Sequence, residues 1–290
     1  DGTKPSDRGE AEALHVPSGV DRTGIPTGRR IAGGRVSIAC VPCFYRIKRG
    51  EITKMIDENT LRRGCEALGI ILTDEQVRQF LTYYEFLVEK NQVMNLTAIT
   101  EYEEVVQKHF VDSLSIVKVC DMKQVQTLID VGTGAGFPGV PIKIAFPHIK
   151  VVLLDSLNKR VQFLNELTGR LGCQEITAVH GRAEDFGKNP AYREQFDLCV
   201  SRAVANLSSL SEYCVPFINE KGRFISYKSM EIDTEVQEAK KAIYLLGGKV
   251  EQVETFCLPG SDLGRSFVVI RKERPTPAKY PRKAGLPSKE

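Results

Sequence analysis

Short apolar runs alternate with amphipathic stretches over the second half of the chain. The runs are five to nine residues long, as expected of strands, and they span 127–131, 150–155, 175–179, 196–201, 222–227, 249–257 and 266–271. Between them, helices are predicted at 138–146, 158–171, 203–217 and 231–246. This alternation indicates βαβ units and a mostly parallel sheet with helices on both faces. The short connection 258–264 indicates that the last two strands form an antiparallel hairpin.

A helical region precedes this alternating part. Thr73-Asp-Glu-Gln76 has the form of a capping box, which is typical of a helix N-terminus. The apolar residues that follow share one face of a helix: Val77, Phe80, Leu81, Tyr84, Leu87 and Val88. Helices are also predicted at 58–68, 101–109 and 112–119. We therefore expect residues 55–120 to form an N-terminal helical subdomain that packs on a domain formed by residues 121–272.

The two ends of the chain differ in composition from the rest. Residues 1–54 are rich in Gly, Pro, Arg and Ser and show no sustained period. They are predicted to be disordered, or to be a leader that is not native to a protein beginning at Met55. Residues 273–290 form a basic tail with four prolines. Because proline interrupts regular structure, we expect this tail not to fold.

The net charge of +3 is distributed unevenly. Residues 1–54 carry 10 Lys and Arg against 6 Asp and Glu, and residues 271–290 carry 7 against 2, which leaves a net charge of −6 for residues 55–270. Such a chain does not coat nucleic acid with one basic surface. An RNA partner would have to be contacted by local basic segments such as the tail, and DNA is not an expected partner.

Composition also limits the location of the chain. A hydrophobic fraction of 42% supports a substantial core, yet no apolar run approaches the roughly 20 residues of a membrane span. The N-terminus lacks the features of a secretory signal, and the eight cysteines are scattered, mostly within apolar segments. These features favour a reducing cytoplasm and no membrane partner. The lone Cys40-Val-Pro-Cys43 pair predicts no metal site, and no oligomer is predicted.

The stretch 127–139, TLIDVGTGAGFPG, carries the strongest sign of ligand binding. A buried strand ends near Asp130, and Gly132, Gly134 and Gly136 alternate before Phe137 and a helix. Glycine allows the backbone to turn sharply and to approach a ligand closely, and a helix N-terminus offers free N–H groups. The register 134–139 fits the dinucleotide pattern G-x-G-x-x-G, whereas the register 130–136 resembles the acidic glycine loop of class I S-adenosylmethionine (AdoMet) methyltransferases.

Two acidic positions follow at the ends of the next two strands. Asp155 comes about 20 residues after the glycine loop and could accept both hydroxyls of a ribose, in NAD and AdoMet alike. The alternative role of Asp155 is a helix N-cap. Ala183 and Glu184 follow the third strand, where methyltransferases contact the adenine amino group, and this position favours AdoMet. Glu184 could also belong to a solvated acidic turn.

The fourth strand ends in Ser201-Arg202-Ala203. The Asn/Asp-Pro-Pro-aromatic motif that many amino-group methyltransferases carry here is missing. A ring nitrogen with a free lone pair would not need that motif. Arg202, at a strand end near the cofactor, could hold a carboxylate or a phosphate, or form a structural ion pair.

Six stretches together resemble the RsmG family of 16S rRNA (guanine-N7)-methyltransferases, also called the glucose-inhibited division protein B family. They are Asn95-Leu-Thr-Ala98, His109-Phe-Val-Asp-Ser-Leu114, 130–139, Leu154-Asp-Ser-Leu-Asn-Lys-Arg160, Ser201-Arg-Ala203 and Tyr280-Pro-Arg-Lys-Ala-Gly-Leu-Pro287. The resemblance extends from about Met55 to the end of the chain, and residues 1–54 have no counterpart.

The resemblance implies a Rossmann-like class I fold and methyl transfer from AdoMet to N7 of a guanine in the 530 loop of 16S rRNA, the base usually numbered 527. The implied partner is therefore 16S rRNA or the small ribosomal subunit. AdoMet contacts are implied for Gly132, Phe137, Ala183, Glu184 and Arg202. No catalytic acid or base is expected, because guanine N7 is already nucleophilic and alignment of the reacting atoms is sufficient.

The complete set of predicted ligand contacts combines the residue patterns with the resemblance. The cofactor set is Asp130, Gly132, Gly134, Gly136, Phe137, Asp155, Ala183, Glu184 and Arg202, and the RNA set is His109, Arg282 and Lys283. Two alternatives stay open from the sequence. One is an NAD(P)-dependent oxidoreductase that uses the 134–139 register, and the other is an AdoMet- or RNA-binding module without turnover.

Overall fold

The structure is a computed structural model and describes residues 44–49, 52–202, 205–283 and 285–287 of the chain. Most of the predicted leader, 1–54, therefore lies outside the described residues. Its last part lies in two strands, β1 (Phe44–Arg49) and β2 (Ile52–Asp57), which pair antiparallel. Regular structure was not predicted there, and Met55, expected to open a helical segment, lies within β2.

A seven-stranded sheet forms the centre of the fold. Its strands are β3 (Thr127–Val131), β4 (Lys150–Asp155), β5 (Ile176–His180), β6 (Phe196–Arg202), β7 (Ile218–Lys228), β8 (Gly248–Cys257) and β9 (Gly264–Lys272). The spatial order is β5-β4-β3-β6-β7-β9-β8. All pairs are parallel except β7 with β9 and β8 with β9, which are antiparallel. The prediction of a mostly parallel sheet closed by an antiparallel hairpin is confirmed, and an all-parallel dinucleotide-binding sheet is not formed.

Helices cover both faces of the sheet. The helices are α1 (Glu58–Glu66), α2 (Asp74–Met94), α3 (Tyr102–Val105), α4 (Asp112–Leu114), α5 (Gly139–Ala145), α6 (Asn158–Arg170), α7 (Ala183–Phe186), α8 (Leu207–Cys214) and α9 (Asp233–Leu245). Short 3-10 turns lie at Ser115–Lys118, Met122–Gln124 and Val215–Phe217. Of the helix predicted at 203–217, residues 203 and 204 lie outside the described part of the chain. No described helix has both the length and the apolar character needed to cross a bilayer.

Alternate strand residues supply two separate cores, because successive side chains of a strand point to opposite faces. Leu128, Leu198 and Ile225 join one core with α1, α2, α5 and α6. Ile129 and Phe224 join the other core with α8 and α9. The N-terminal helices therefore share one continuous core with the sheet, as the apolar face of α2 predicted.

The capping box at the start of α2 is formed as predicted. Thr73 Oγ1 accepts a hydrogen bond from the Gln76 backbone N–H, and Gln76 Oε1 accepts one from the Thr73 N–H. Gln76 also donates to the carbonyl oxygen of Ile144, at the end of α5, over 2.8 Å. The cap therefore ties α2 to the helix that follows the glycine loop.

A π-helical turn, Val106–Val111, connects α3 to α4 without a break. The sequence predicted an ordinary helix here followed by a second one. A π turn widens the helix locally, and such turns are found mostly at functional sites. This one carries His109 and ends beside Asp112.

The basic tail is folded, so the prediction that it would not fold is wrong for its described residues. Arg193 donates to the carbonyl oxygens of Thr276, Pro277 and Tyr280 at 2.5–3.4 Å. Arg282 forms a bidentate ion pair with the buried Glu212, with nitrogen–oxygen distances of 2.7 and 3.0 Å. Proline does prevent a regular helix here, but side-chain donors from the main domain satisfy the carbonyl groups that a helix would have used.

Candidate functional site

A cavity of about 880 Å³ opens at the carboxyl ends of β3, β4, β6 and β7. It lies at the point where the strand order reverses, because β4 pairs with one side of β3 and β6 with the other. In open α/β sheets this is the place where ligands bind. Segments from the glycine loop, the π turn and the start of β9 line the cavity.

The glycine loop crosses the floor of this cavity. Gly132, Gly134 and Gly136 have φ angles of 73°, 62° and 100°, a region that L side chains rarely adopt. Gly132, Gly134 and Phe137 line the cavity, whereas Gly136 does not. A Cβ added to Gly134 would meet nothing within 4 Å, so the backbone of the loop is open to a ligand at this point.

Gly136 faces the protein core instead of the ligand cavity. A Cβ at this position would lie 2.8 Å from both Tyr83 Oη and Val140 Cγ2. Tyr83 is fully buried, and its hydroxyl donates to the Ala135 carbonyl oxygen over 2.6 Å. This glycine therefore allows the loop to pack on α2, and its contact with the cofactor stays a prediction.

Asp130 also lies behind the loop and does not line the cavity. It is completely buried, and its Oδ2 accepts hydrogen bonds from Thr133 Oγ1 at 2.7 Å and from the Gly139 N–H at 2.8 Å. Burial raises the pKa of Asp130 to about 6, although these two hydrogen bonds act in the opposite direction. Asp130 therefore fixes the loop onto the first turn of α5, and its contact with the cofactor stays a prediction.

Asp155, at the end of β4, does line the cavity. Its Oδ2 accepts from the Gly134 N–H and its Oδ1 from the Leu157 N–H, both at 2.9 Å. The carboxylate thus connects the glycine loop to the turn that precedes α6. A carboxylate oxygen has two lone pairs, so Oδ1 can still accept a hydroxyl proton. Asp155 combines a structural role close to the helix-cap alternative with the capacity to bind a ribose.

Ala183 and Glu184 begin α7, directly after β5. Neither residue is among those that line the cavity, and Glu184 is buried. The Gly181 N–H, which precedes them, donates to the Asp155 carbonyl oxygen over 3.0 Å. The two residues are therefore held beside the cavity, one strand beyond Asp155, and their contact with a cofactor stays a prediction.

An aromatic stack forms the side of the cavity next to the glycine loop. The rings of His109 and Phe137 are stacked with their centres 4.6 Å apart, and Tyr83 stacks on Phe137 at 5.2 Å. Burial, and to a smaller extent the Arg202 guanidinium, lower the pKa of His109 to about 4. His109 is therefore neutral near pH 7.

Both ring nitrogens of His109 are engaged by its neighbours. Nδ1 lies 3.1 Å from the Lys108 carbonyl oxygen, which can only accept, so Nδ1 carries the proton. Nε2 lies 2.9 Å from Thr97 Oγ1 and accepts its hydroxyl proton. In this arrangement His109 positions the aromatic stack, and neither nitrogen is available as a general base. A contact of His109 with RNA stays a prediction.

An arginine pair lines the cavity next to this aromatic stack. Arg202, at the end of β6, donates to Asp112 Oδ2 over 2.8 Å, and Arg265, at the start of β9, donates to Asp112 Oδ1 over 2.8 Å. The Arg202 guanidinium also lies 5.0 Å from the centre of the Phe137 ring. Both arginines line the cavity, and the contact of Arg202 with a cofactor stays a prediction.

The cavity carries more positive than negative charge. Five cationic side chains line it, against the three carboxylates of Asp112, Asp155 and Glu235; the cations are Lys108, Arg160, Arg202, Lys228 and Arg265. This excess contrasts with the net charge of −6 for residues 55–270. A local basic cavity in an acidic domain attracts an anionic substrate to one place.

The predicted RNA residues of the tail lie on another part of the molecule. Arg282 is engaged by Glu212, whereas Lys283 is exposed. Lys283 is therefore the member of this pair whose side chain is on the surface. Neither residue lines the cavity, and the RNA contact of both stays a prediction.

Sequence reasoning missed Asp112 and Arg265 as site residues. Asp112 belongs to the stretch His109 to Leu114, one of those that carried the resemblance, but no functional role was predicted for it. Arg265 follows Gly264 at the start of a strand and had no local signal. The stretches around Thr97, His109 and Arg202, which are far apart in the chain, meet at this cavity.

Comparison with known proteins agrees with these features. The family described as rRNA small subunit methyltransferase G (GidB) matches residues 76–263. A ribosomal RNA small subunit methyltransferase G of Lachnoclostridium phytofermentans is 51% identical over 235 residues, which are 81% of this chain and 97% of that protein. The protein of the same name from Alkaliphilus metalliredigens is 52% identical over 230 residues, 79% of this chain and 96% of its own.

Proposed function

The chain belongs to the rRNA small subunit methyltransferase G family, and we propose that it transfers a methyl group from AdoMet to N7 of a guanine in the 530 loop of 16S rRNA, the base usually numbered 527. It is an rRNA methyltransferase of the Rossmann-like class. The observation that carries the finer proposal is the division of one cavity into two halves. Open glycine backbone and Asp155 belong to one half, the Arg202–Asp112–Arg265 cluster belongs to the other, and Arg202 and Phe137 are in contact where the two halves meet.

The first half suits AdoMet. Gly134 offers open backbone, and Asp155 offers a buried carboxylate with acceptor capacity that its two backbone donors do not use. We propose that Gly132, Gly134, Phe137, Asp155 and Arg202 contact the cofactor, with Ala183 and Glu184 beside the adenine. Asp130 and Gly136 support the loop from behind. The NAD(P) alternative loses its support, because the sheet ends in an antiparallel pair and the family is one of methyltransferases.

The second half suits RNA. Its excess of cationic side chains matches a phosphate backbone, and the neutral ring of His109 beside Phe137 offers a surface for a base. The substrate is accordingly a guanine of 16S rRNA, presented free or within the small ribosomal subunit. We expect the reaction in the cytoplasm, where these subunits are made.

The chemistry requires alignment and no proton transfer. When bound, AdoMet supplies a methyl group whose bond to the positively charged sulfur breaks as the N7 lone pair forms the new bond. N7 carries no proton, so no base has to remove one, in agreement with the engaged nitrogens of His109. The residues of this chain contribute by holding the methyl group and N7 in line and by excluding water. For well-aligned reactants, such positioning can lower the activation barrier by roughly 7–11 kcal/mol.

The test uses the full chain and small subunits from cells that lack this gene. Subunits are incubated with methyl-labelled AdoMet, and the labelled nucleotide is located by nuclease digestion and mass spectrometry. We expect one methyl group, at N7 of the 530-loop guanine. A methyl group on another base, or on an exocyclic amine, would overturn the proposal, and so would binding of NAD without binding of AdoMet in equilibrium dialysis.

A matched variant separates the cavity from the remaining surface. Lys228→Ala removes a cation that lines the cavity, whereas Lys221→Ala removes one on the far end of β7. The first change should slow methylation of the subunit and the second should not. Equal rates for both variants would argue against the cavity as the RNA site.

A further inference from the structure

One buried carboxylate holds two arginines that come from separate strands. Asp112 is 3% exposed, and its two oxygens each accept one guanidinium hydrogen bond at 2.8 Å. Arg202 belongs to β6 and Arg265 to β9, and β7 lies between these strands. The side chain of Asp112 therefore sets the position of both guanidinium groups relative to the cavity.

The charges of this cluster do not balance. Two guanidinium groups and one carboxylate leave a net charge of +1 at the cavity surface. Without Asp112 the two cations would repel each other and would turn toward water. With it, each guanidinium uses part of its five N–H donors on Asp112 and keeps the others for a ligand.

The two arginines reach the Asp112 carboxylate from different strands. Arg202 lies one strand from β3, which carries the glycine loop, and it contacts Phe137. The backbone of Arg265 lies three strands from β3, about 14 Å away at roughly 4.8 Å per strand, although its guanidinium meets the same carboxylate as that of Arg202. The glycine loop and Asp155 occupy the β3–β4 side, so Arg265 enters the cavity from the strand that is farther from the proposed AdoMet contacts.

We propose that Asp112 is a positioning residue that holds Arg265, together with Arg202, in the orientation that binds a phosphate group of the RNA next to the target guanine. This inference rests on the proposed function and adds to it a residue that touches neither the cofactor nor the base. The role belongs to the RNA side of the reaction. AdoMet binding should therefore depend on Asp112 only through Arg202, and less strongly than subunit binding does.

The test compares Asp112→Asn with wild type in the methylation of small subunits that lack the methyl group. Asn keeps the size of the side chain but loses the charge and one acceptor oxygen. We expect the KM for subunits to rise about tenfold, in the range of one lost phosphate contact, while the Kd for AdoMet by calorimetry rises by a clearly smaller factor, because only Arg202 connects Asp112 to the cofactor. The dependence of subunit binding on salt should become less steep by about one unit of slope.

Glu251→Gln is the matched control. Glu251 also lies between two arginines, with Arg223 at 2.7 Å and Arg271 at 3.8 Å, but it does not line the cavity. Its variant should leave the KM for subunits unchanged. If Glu251→Gln raises this KM as much as Asp112→Asn does, the effect is a general loss of stability and the inference fails.

A second variant covers the possibility that Asp112→Asn does not fold. Arg265→Lys keeps the charge at a partly exposed position, with 27% side-chain exposure, but removes the planar fork of donors. It should raise the KM for subunits in the same direction. The double variant should be no worse than the more affected single one, because Asp112 acts through Arg265.

The outcomes separate the inference from the proposed function. A wild-type chain that methylates no 530-loop guanine would overturn the proposed function itself. A wild-type chain that is active, with an unchanged KM in Arg265→Lys, would overturn only the inference. A fall in AdoMet affinity that matches the rise in KM would also overturn it, because the cluster would then serve the cofactor.

Discussion

The same substitution, glycine to alanine, should affect stability and AdoMet binding to different extents at two positions of the glycine loop. Gly134 and Gly136 both have positive φ angles, 62° and 100°, so alanine is strained at both positions. A left-handed backbone costs a residue with a Cβ roughly 1–2 kcal/mol. At Gly134 this is the whole cost, because the added Cβ meets nothing within 4 Å.

At Gly136 the added methyl group also has to displace core atoms. Its Cβ would lie 2.8 Å from Tyr83 Oη, 2.8 Å from Val140 Cγ2 and 3.1 Å from Leu164 Cδ2. Overpacking of this kind costs about 1–3 kcal/mol in addition to the backbone strain. The free energy of unfolding of Gly136→Ala should therefore be lower than that of Gly134→Ala by about 1–3 kcal/mol, or roughly 2–12 °C in Tm for a domain of this size.

Urea unfolding followed by far-ultraviolet circular dichroism measures this difference, since the chain contains no tryptophan for fluorescence. Calorimetry with AdoMet supplies the second measurement. Gly134→Ala should lose most AdoMet binding, because its methyl group points into the cavity, whereas Gly136→Ala should still bind at a temperature where it is folded.

Equal destabilisation by the two alanines would refute the packing argument. Normal AdoMet binding by Gly134→Ala would refute the proposed approach of the cofactor to the open backbone of the loop. The two results are independent, so each part of the reasoning can fail separately.

Three other changes have defined outcomes. Asp155→Ala should weaken AdoMet binding by roughly 1–3 kcal/mol in calorimetry. It should also lower the Tm, because the carboxylate accepts hydrogen bonds from two backbone N–H groups; an unchanged Kd for AdoMet would leave Asp155 only this structural role. Arg282→Ala should lower the Tm by leaving the buried Glu212 carboxylate without its cationic partner, so that only the backbone N–H of residue 282 still donates to it. Lys283→Ala should leave the Tm unchanged and raise the KM for subunits; the reverse pattern would contradict the tail contacts. His109→Gln should flatten the pH dependence of the free energy of unfolding between pH 6.5 and 4. Folding lowers the pKa of His109 from 6.5 to about 4, so as the pH falls the unfolded chain binds the proton first and the stability present above pH 6.5 is lost. Parallel pH profiles for the variant and wild type would contradict this.

The local pattern of the sequence determined the elements and the edge of the sheet where the cavity opens. Strand lengths, the helical spacing after Thr73 and the glycine loop each depend on residues close together in the chain, and the structure agrees with them within a few residues. The parallel sheet with its antiparallel end also followed from the order of these elements. Gly134, Phe137, Asp155 and Arg202 line the cavity as their positions at strand ends predicted.

Only the tertiary structure decided which of these residues face the cavity and which face the core. Asp130 and Gly136 belong to the same loop as Gly134, yet burial against α5 and α2 separates their roles. Asp112 meets Arg202 across 90 residues and Arg265 across 153, and Arg193 reaches the tail across more than 80. Contacts over such separations arise when the sheet brings distant segments to one edge, and the free energy that selects them comes from burial and from paired charges. The sequence around any one of these residues shows no periodic pattern that indicates which distant residue it contacts.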